Sequence, residues 1–96
     1  MIISLTSSVP TPEHAAQIGS FPEEFVRRMR RIDGVEGIYH DTGADSGKHT
    51  TVVLWRDAVA PRAYMNGDVV TEAIAFETIT GNEASRRGFP VTIALP

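Results

Sequence analysis

The chain has 96 residues, with 12 acidic and 9 basic side chains, a formal net charge of −3 and no cysteine. Its size predicts one domain over residues 1–96, because half as many residues could not bury a core. At 42% hydrophobic and 22% charged it reads as an ordinary globular protein rather than a disordered or fibrous one. The negative charge gives no global support for binding nucleic acid or an anionic membrane, and neither is expected as a partner. Without cysteine there are no disulfides, thiolate zinc sites or thiol nucleophiles, which agrees with a cytoplasmic location. The opening Met1-Ile2-Ile3-Ser4-Leu5 lacks a cationic leader and a long apolar run, so neither a signal peptide nor a membrane span is expected there.

In chain order, β-branched residues from Ile2 to Val9 predict a strand that stops at Pro10. Ser20-Phe21-Pro22-Glu23 has the form of a capping box with proline in the first turn, and Phe25, Val26, Met29 and Ile32 recur at helical spacing. These signals predict a helix over 20–33, with Gly34 as a left-handed stop. Val35–Thr42 and Lys48–Arg56 read as two strands of a hairpin around the turn at 43–47. On the first of them, Val35, Gly37 and Tyr39 are expected on one face and Glu36, Ile38 and His40 on the other. Asp57 can cap a helix from Ala58 to Met65, broken by Asn66-Gly67. Asp68 can then cap a second helix carrying Val69, Val70, Ala73, Ile74 and Phe76, although a hairpin over 69–80 remains open because Val69-Val70 and Thr78-Ile79-Thr80 also favour strand. Phe89–Leu95 reads as the last strand, bounded by Pro90 and Pro96.

The resulting β-α-β-β-α-β order predicts an α+β, ferredoxin-like sandwich. Its helices can cover only one face of the sheet, yet Thr51-Val52-Val53-Leu54-Trp55 puts apolar side chains on both. Leaving Val52 and Leu54 in water would create a patch that small monomers rarely expose, so a homodimer formed by sheet-to-sheet packing is expected.

With Asp33-Gly34-Val35-Glu36-Gly37, Val52-Val53-Leu54-Trp55-Arg56-Asp57 and Ala63-Tyr64-Met65-Asn66-Gly67-Asp68-Val69 in that order and spacing, residues 20–77 resemble the antibiotic-biosynthesis-monooxygenase group of dimeric α+β barrels. The resemblance implies a dimeric α+β barrel. It also implies one of several activities: cofactor-independent oxygenation of polyphenols and quinols, haem degradation, or no reaction known. Counted without gaps from Trp55, the haem-degrading branch would place a tryptophan where Tyr64 stands and a histidine where Ile74 stands, and its first strand would carry an asparagine. None of these is present, so haem breakdown is not expected.

Among the residues themselves, Tyr39, Tyr64 and Met65 are candidates to line a pocket for a small aromatic molecule, since a tyrosine offers an apolar body and one hydroxyl. Trp55, ending a strand, reads as core or as a stacking surface for the same ligand. Of the three histidines, His14, His40 and His49, the oxygenase reading selects His40 as the base that deprotonates the substrate. His40 and His49 flank the hairpin turn and, with Asp41 or Asp45, form a conceivable metal site. No ligand-spacing motif supports it, and a polar hairpin tip is the simpler reading. Neither metal nor other cofactor is expected. No serine lies in a Gly-x-Ser-x-Gly setting, and no glycine run fits a phosphate loop. Arg27-Arg28-Met29-Arg30-Arg31 reads as a solvated helix face balanced by Glu23, Glu24 and Asp33. Two functions from different classes emerge: a cofactor-free oxygenase, and a non-catalytic ligand-binding or interaction protein of the same fold.

Overall fold

The computed structural model describes residues 1–11, 21–44, 47–79 and 84–95. Its elements are β1 (Ile2–Ser8), α1 (Phe21–Arg30), β2 (Val35–Asp41), β3 (His49–Trp55), α2 (Val59–Met65), α3 (Asp68–Ile79) and β4 (Ala84–Pro90). The strands form one antiparallel sheet in the order β2-β3-β1-β4. This is the ferredoxin-like order expected, with the second helical connection split into two helices. No helix among the described residues is long and apolar enough to cross a membrane.

α1 places Met29 in the core and Glu23 one turn before Arg27, 3.9 Å apart. The proposed cap at Ser20 lies outside the described residues. The helix stops at Arg30, not Asp33, because three tight bonds take over: Arg31 N–H to Arg28, Ile32 N–H to Met29 and Val35 N–H to Ile32, each 3.1–3.2 Å. Gly34, at φ +91°, then turns the chain into β2.

The expected face pattern of β2 is corrected at its start. A register shift between Val35 and Gly37 puts Val35 opposite Trp55 and Gly37 opposite Leu54, so Val35 joins Ile38 and His40 on the helix-covered face while Gly37 and Tyr39 face away. Asp57 caps α2 as expected, its Oδ1 accepting from the N–H groups of Val59 and Ala60 at 3.0 and 3.1 Å. Residues 68–79 are helical, and the hairpin alternative is not adopted: Val70 and Ala73 point into the interior one turn apart.

The last strand is a larger correction. It runs from Ala84 to Pro90 rather than from Phe89 to Leu95. Its register against β1 sets Ala84 opposite Ser8 and Pro90 opposite Ile2, and Val91 N–H donates to the carbonyl of Met1. Beyond it, Ile93 and Leu95 stand 80% and 91% exposed. The sequence 84–90 is polar because β4 is an edge strand.

Met29, Val53, Trp55 and Ala60 form the core cluster, with Phe25, Ile32, Val35, Ile38 and Tyr64 packed on it. The helices thus cover one face of the sheet. The other face carries Ile3, Leu5, Val52 and Leu54 on the two central strands, flanked by Phe89 and Tyr39.

Candidate functional site

Strand register arranges the helix-covered face in rows that run across the sheet. In one row His40 of β2 is paired with Thr51 of β3, Thr51 with Thr6 of β1, and Thr6 with Arg86 of β4. The next row, toward the core, is Ile38, Val53, Ser4 and Gly88, and the row beyond on the other side holds His49, Ser8 and Ala84. Neighbouring strands lie about 4.8 Å apart, so the backbone positions of His40 and Arg86 are separated by about 14 Å, with two threonines between. A polar stripe therefore crosses a sheet face whose far end is hydrophobic core.

Above this stripe lies a cavity of about 740 Å³, counted to its open mouth. Its floor is Ser4, Thr6, Ser8, His40, His49 and Thr51; its roof is Phe21, Phe25 and Met29 from α1 with Ala73 and Phe76 from α3. The roof is aromatic and ordered: Phe21 stacks on Phe76 with centroids 3.9 Å apart and planes within 7°, and on Phe25 at 5.9 Å. A second cavity of about 550 Å³ lies beside it, bordered by Trp55, Pro61, Tyr64, Met65, Arg86 and Arg87. Tyr64, Arg86, Ser4 and Thr6 line both, so Tyr64 and Arg86 divide the two spaces.

His40 is half-buried. Its Nδ1 is 2.8 Å from Thr51 Oγ1, while Nε2 is buried with no hydrogen-bond partner among the described residues. Its ring centroid is 5.7 Å from that of His49. Burial pushes the His40 pKa below the usual histidine value, the neighbouring His49 lowers it further, and Asp41 only partly opposes them. Burial and His49 thus favour the neutral imidazole, the form with capacity to accept a proton. Tyr64 packs against Trp55 at 5.5 Å, and burial holds its pKa above the usual phenol value, helped by Glu77 and opposed by Arg86. Its hydroxyl thus stays a donor. Arg86 is paired with Glu77 by two hydrogen bonds, one of them 3.0 Å. Trp55, 1% exposed, donates from Nε1 to Ser4 Oγ at 2.9 Å.

Of the residues selected from sequence, the structure brings His40 and Tyr64 to the first cavity, and Tyr64, Trp55 and Met65 to the second. Trp55 is both core and cavity wall. Tyr39 lies on the opposite face of the sheet, 65% exposed, and joins neither space. His14 and Asp45 fall outside the described residues. Asp41 points to the face away from His40, its Oδ1 accepting from Gly43 N–H, and no group of three metal-ligating side chains occurs among the described residues. The arginine run of α1 meets acidic partners, Arg27 with Glu23 and Arg28 with Glu72.

Sequence reasoning missed the hydroxyl residues of the floor and the far end of the stripe. The floor had a readable signal: Ser4, Thr6 and Ser8 put hydroxyls at every second position of a central strand, where a covered face would ordinarily be apolar. Arg86 and Glu77 had none, because the strand that holds Arg86 was placed too late in the chain.

No protein-family model and no curated protein sequence matches the chain. Solved structures do. A candidate antibiotic biosynthesis monooxygenase from Deinococcus radiodurans superposes with a TM-score of 0.85 at 19% identity, covering 100% of this chain and 97% of that one. SnoaB from Streptomyces nogalater, a cofactor-independent oxygenase solved as its N63A mutant, gives 0.75 at 14% identity over 99% of this chain and 97% of its own. Rv0793 from Mycobacterium tuberculosis gives 0.74 at 13% identity, covering 99% and 100%. From end to end, the chain has the ferredoxin-like α+β fold of the antibiotic biosynthesis monooxygenase-like proteins.

Proposed function

We propose that this protein is a cofactor-independent monooxygenase for a small electron-rich aromatic, a quinol or polyphenol, bound between the phenylalanine roof and the polar stripe. The observation that carries the reading is His40: an imidazole whose Nε2 is buried without a hydrogen-bond partner among the described residues, beneath an aromatic-roofed cavity. With Nδ1–H donating to Thr51, Nε2 holds the lone pair and removes the substrate's acidic proton. The resulting phenolate or enolate is the reductant for dioxygen. One oxygen atom becomes a carbonyl on the substrate, the other leaves as water with two substrate hydrogens, and no outside electrons are needed. Tyr64 orients the ring from the cavity divider, while the roof keeps water out. SnoaB, of like fold, is a cofactor-independent oxygenase, which supports the class of reaction.

The working unit in this reading is a homodimer of two such domains. A second copy would cover Ile3, Leu5, Val52 and Leu54, which the chain's own helices leave bare.

Oxygen uptake over a panel of anthrones, quinols and flavonoids tests the reaction. One substrate should consume one dioxygen per turnover and retain one labelled oxygen from ¹⁸O₂, with His40→Ala slower by about 10²–10⁴-fold. Uptake unchanged in His40→Ala would remove His40 from the role. Tight binding with no uptake across the panel would favour the non-catalytic ligand-binding reading.

A further inference from the structure

Arg86 and Glu77 stand at the end of the first cavity opposite His40, and Arg86 ends the sheet row that begins there. They form an ion pair from two elements, β4 and α3, and both are partly buried. Each terminal nitrogen of the guanidinium gives one hydrogen bond to Glu77, which takes two of its five N–H donors and leaves Nε–H among the rest. The carboxylate has about four acceptor sites and gives Arg86 two of them. The pair carries no net charge, so an anion gains nothing there: it would meet Glu77 as well as Arg86. What the pair presents is a donor beside an acceptor. That matches a neutral group able to do both, a hydroxyl.

We propose that the Arg86–Glu77 pair recognises a second, neutral hydroxyl of the ligand, which makes the ligand a fused-ring diol with hydroxyls at opposite ends. One meets His40 Nε2; the other donates to Glu77 and accepts from Arg86. This deepens the proposed function and rests on it. The backbone row of about 14 Å, less a hydrogen bond of about 2.8 Å at each end, leaves room for two fused rings. The arrangement also fixes which hydroxyl reacts. A carboxylate is a far weaker base than a phenolate, so the hydroxyl at Glu77 keeps its hydrogen while the one at His40 is deprotonated.

The probes are 2-naphthol, 2,6-dihydroxynaphthalene and 6-methoxy-2-naphthol, titrated by calorimetry under nitrogen so that binding is read apart from oxygen uptake. The diol should bind about tenfold more tightly than 2-naphthol, as a hydrogen bond to a charged group allows and more than its two equivalent orientations supply. The methoxy compound accepts without donating and should lose most of that gain. In the native protein, intermolecular NOEs should run from the bound diol to both the His40 ring and the Arg86 δ-methylene. Glu77→Met/Arg86→Met removes both charges without stranding one, and should bring the diol within about twofold of 2-naphthol. A native protein that binds the diol no more than about twofold more tightly than 2-naphthol overturns the proposal, as does a preference that survives in the double variant. Should the double variant fail to fold, a methoxy compound bound as tightly as the diol, or NOEs confined to the His40 end, overturns it alone. If none of the probes binds, the aromatic-cavity reading falls and the proposal falls with it. If 2-naphthol binds and the diol gains nothing, only the second hydroxyl's site is lost.

Discussion

Gly34→Ala is the substitution whose cost can be worked most closely. Gly34 is buried at the turn from α1 into β2, at φ +91°, and its carbonyl accepts from Arg56 N–H at 2.8 Å. A methyl there would collide with Ala60 Cβ on α2. A left-handed residue other than glycine costs about 1–2 kcal/mol. Overpacking against a helix adds about 1–3 kcal/mol. Their sum is about 3 kcal/mol, which for a domain of this size lowers Tm by roughly 12–24 °C. Thermal and urea unfolding measure it. Adding Ala60→Gly removes the clash but not the backbone strain, and itself costs about 1 kcal/mol of helix propensity. The two substitutions should therefore combine to less than their sum by about 1–3 kcal/mol. Ala60 lies one turn before Tyr64 on α2, so a displaced Ala60 also shifts the cavity divider. A loss under about 1 kcal/mol for Gly34→Ala, or strict additivity with Ala60→Gly, would refute the reasoning.

Trp55→Phe removes ring volume from the core and the bond to Ser4, and should cost about 2–4 kcal/mol in urea unfolding; a loss under about 1 kcal/mol would show the indole is not held as described. The folded-state pKa of His40 is held below the ordinary 6.5, so as pH falls through that value the unfolded chain takes up the proton first and stability declines. The slope is at most about 1.4 kcal/mol per pH unit, reduced by solvent around a half-buried ring, and His40→Gln should flatten it; identical slopes in the two proteins would contradict the assignment. Leu54→Lys should dissociate the proposed homodimer in light scattering by setting a charge at the proposed sheet-to-sheet contact, and a native protein that is monomeric at micromolar concentration would contradict the dimer.

Much of the fold was legible because local signals agreed. Asp57 before Val59 and Ala60, Gly34 after α1, and the turn glycines around the hairpin each name a boundary that the backbone then uses. Residues 69–80 were ambiguous because Val69-Val70 has strand propensity, and helix prevailed because Val70 and Ala73 share an inward face. Face and edge effects were not legible. The bulge at Val35/Gly37 reverses which side Val35 takes, and no residue type announces it. Phe89–Leu95 is more strand-like than Ser85-Arg86-Arg87-Gly88, yet pairing is decided by register against β1, a long-range fact. The site suffered from the same blindness. His40 and Tyr64, which border the first cavity, could be singled out because their chemistry is visible one residue at a time. The stripe from His40 to Arg86 exists only in strand register, across three ladders. Tyr39 looked equivalent to Tyr64 as a residue and sits on the other side of the sheet.

The most direct test of ligand binding over the polar stripe is a side-chain NMR titration with 2-naphthol. Ring-current shifts should appear at the His40 imidazole, at the Thr6 and Thr51 methyls, and at Phe21 and Phe76, saturating together, while Tyr39, Val52 and Leu54 on the opposite face stay in place. Shifts confined to Tyr39, Val52 and Leu54, with His40 and Thr51 unmoved, would contradict it.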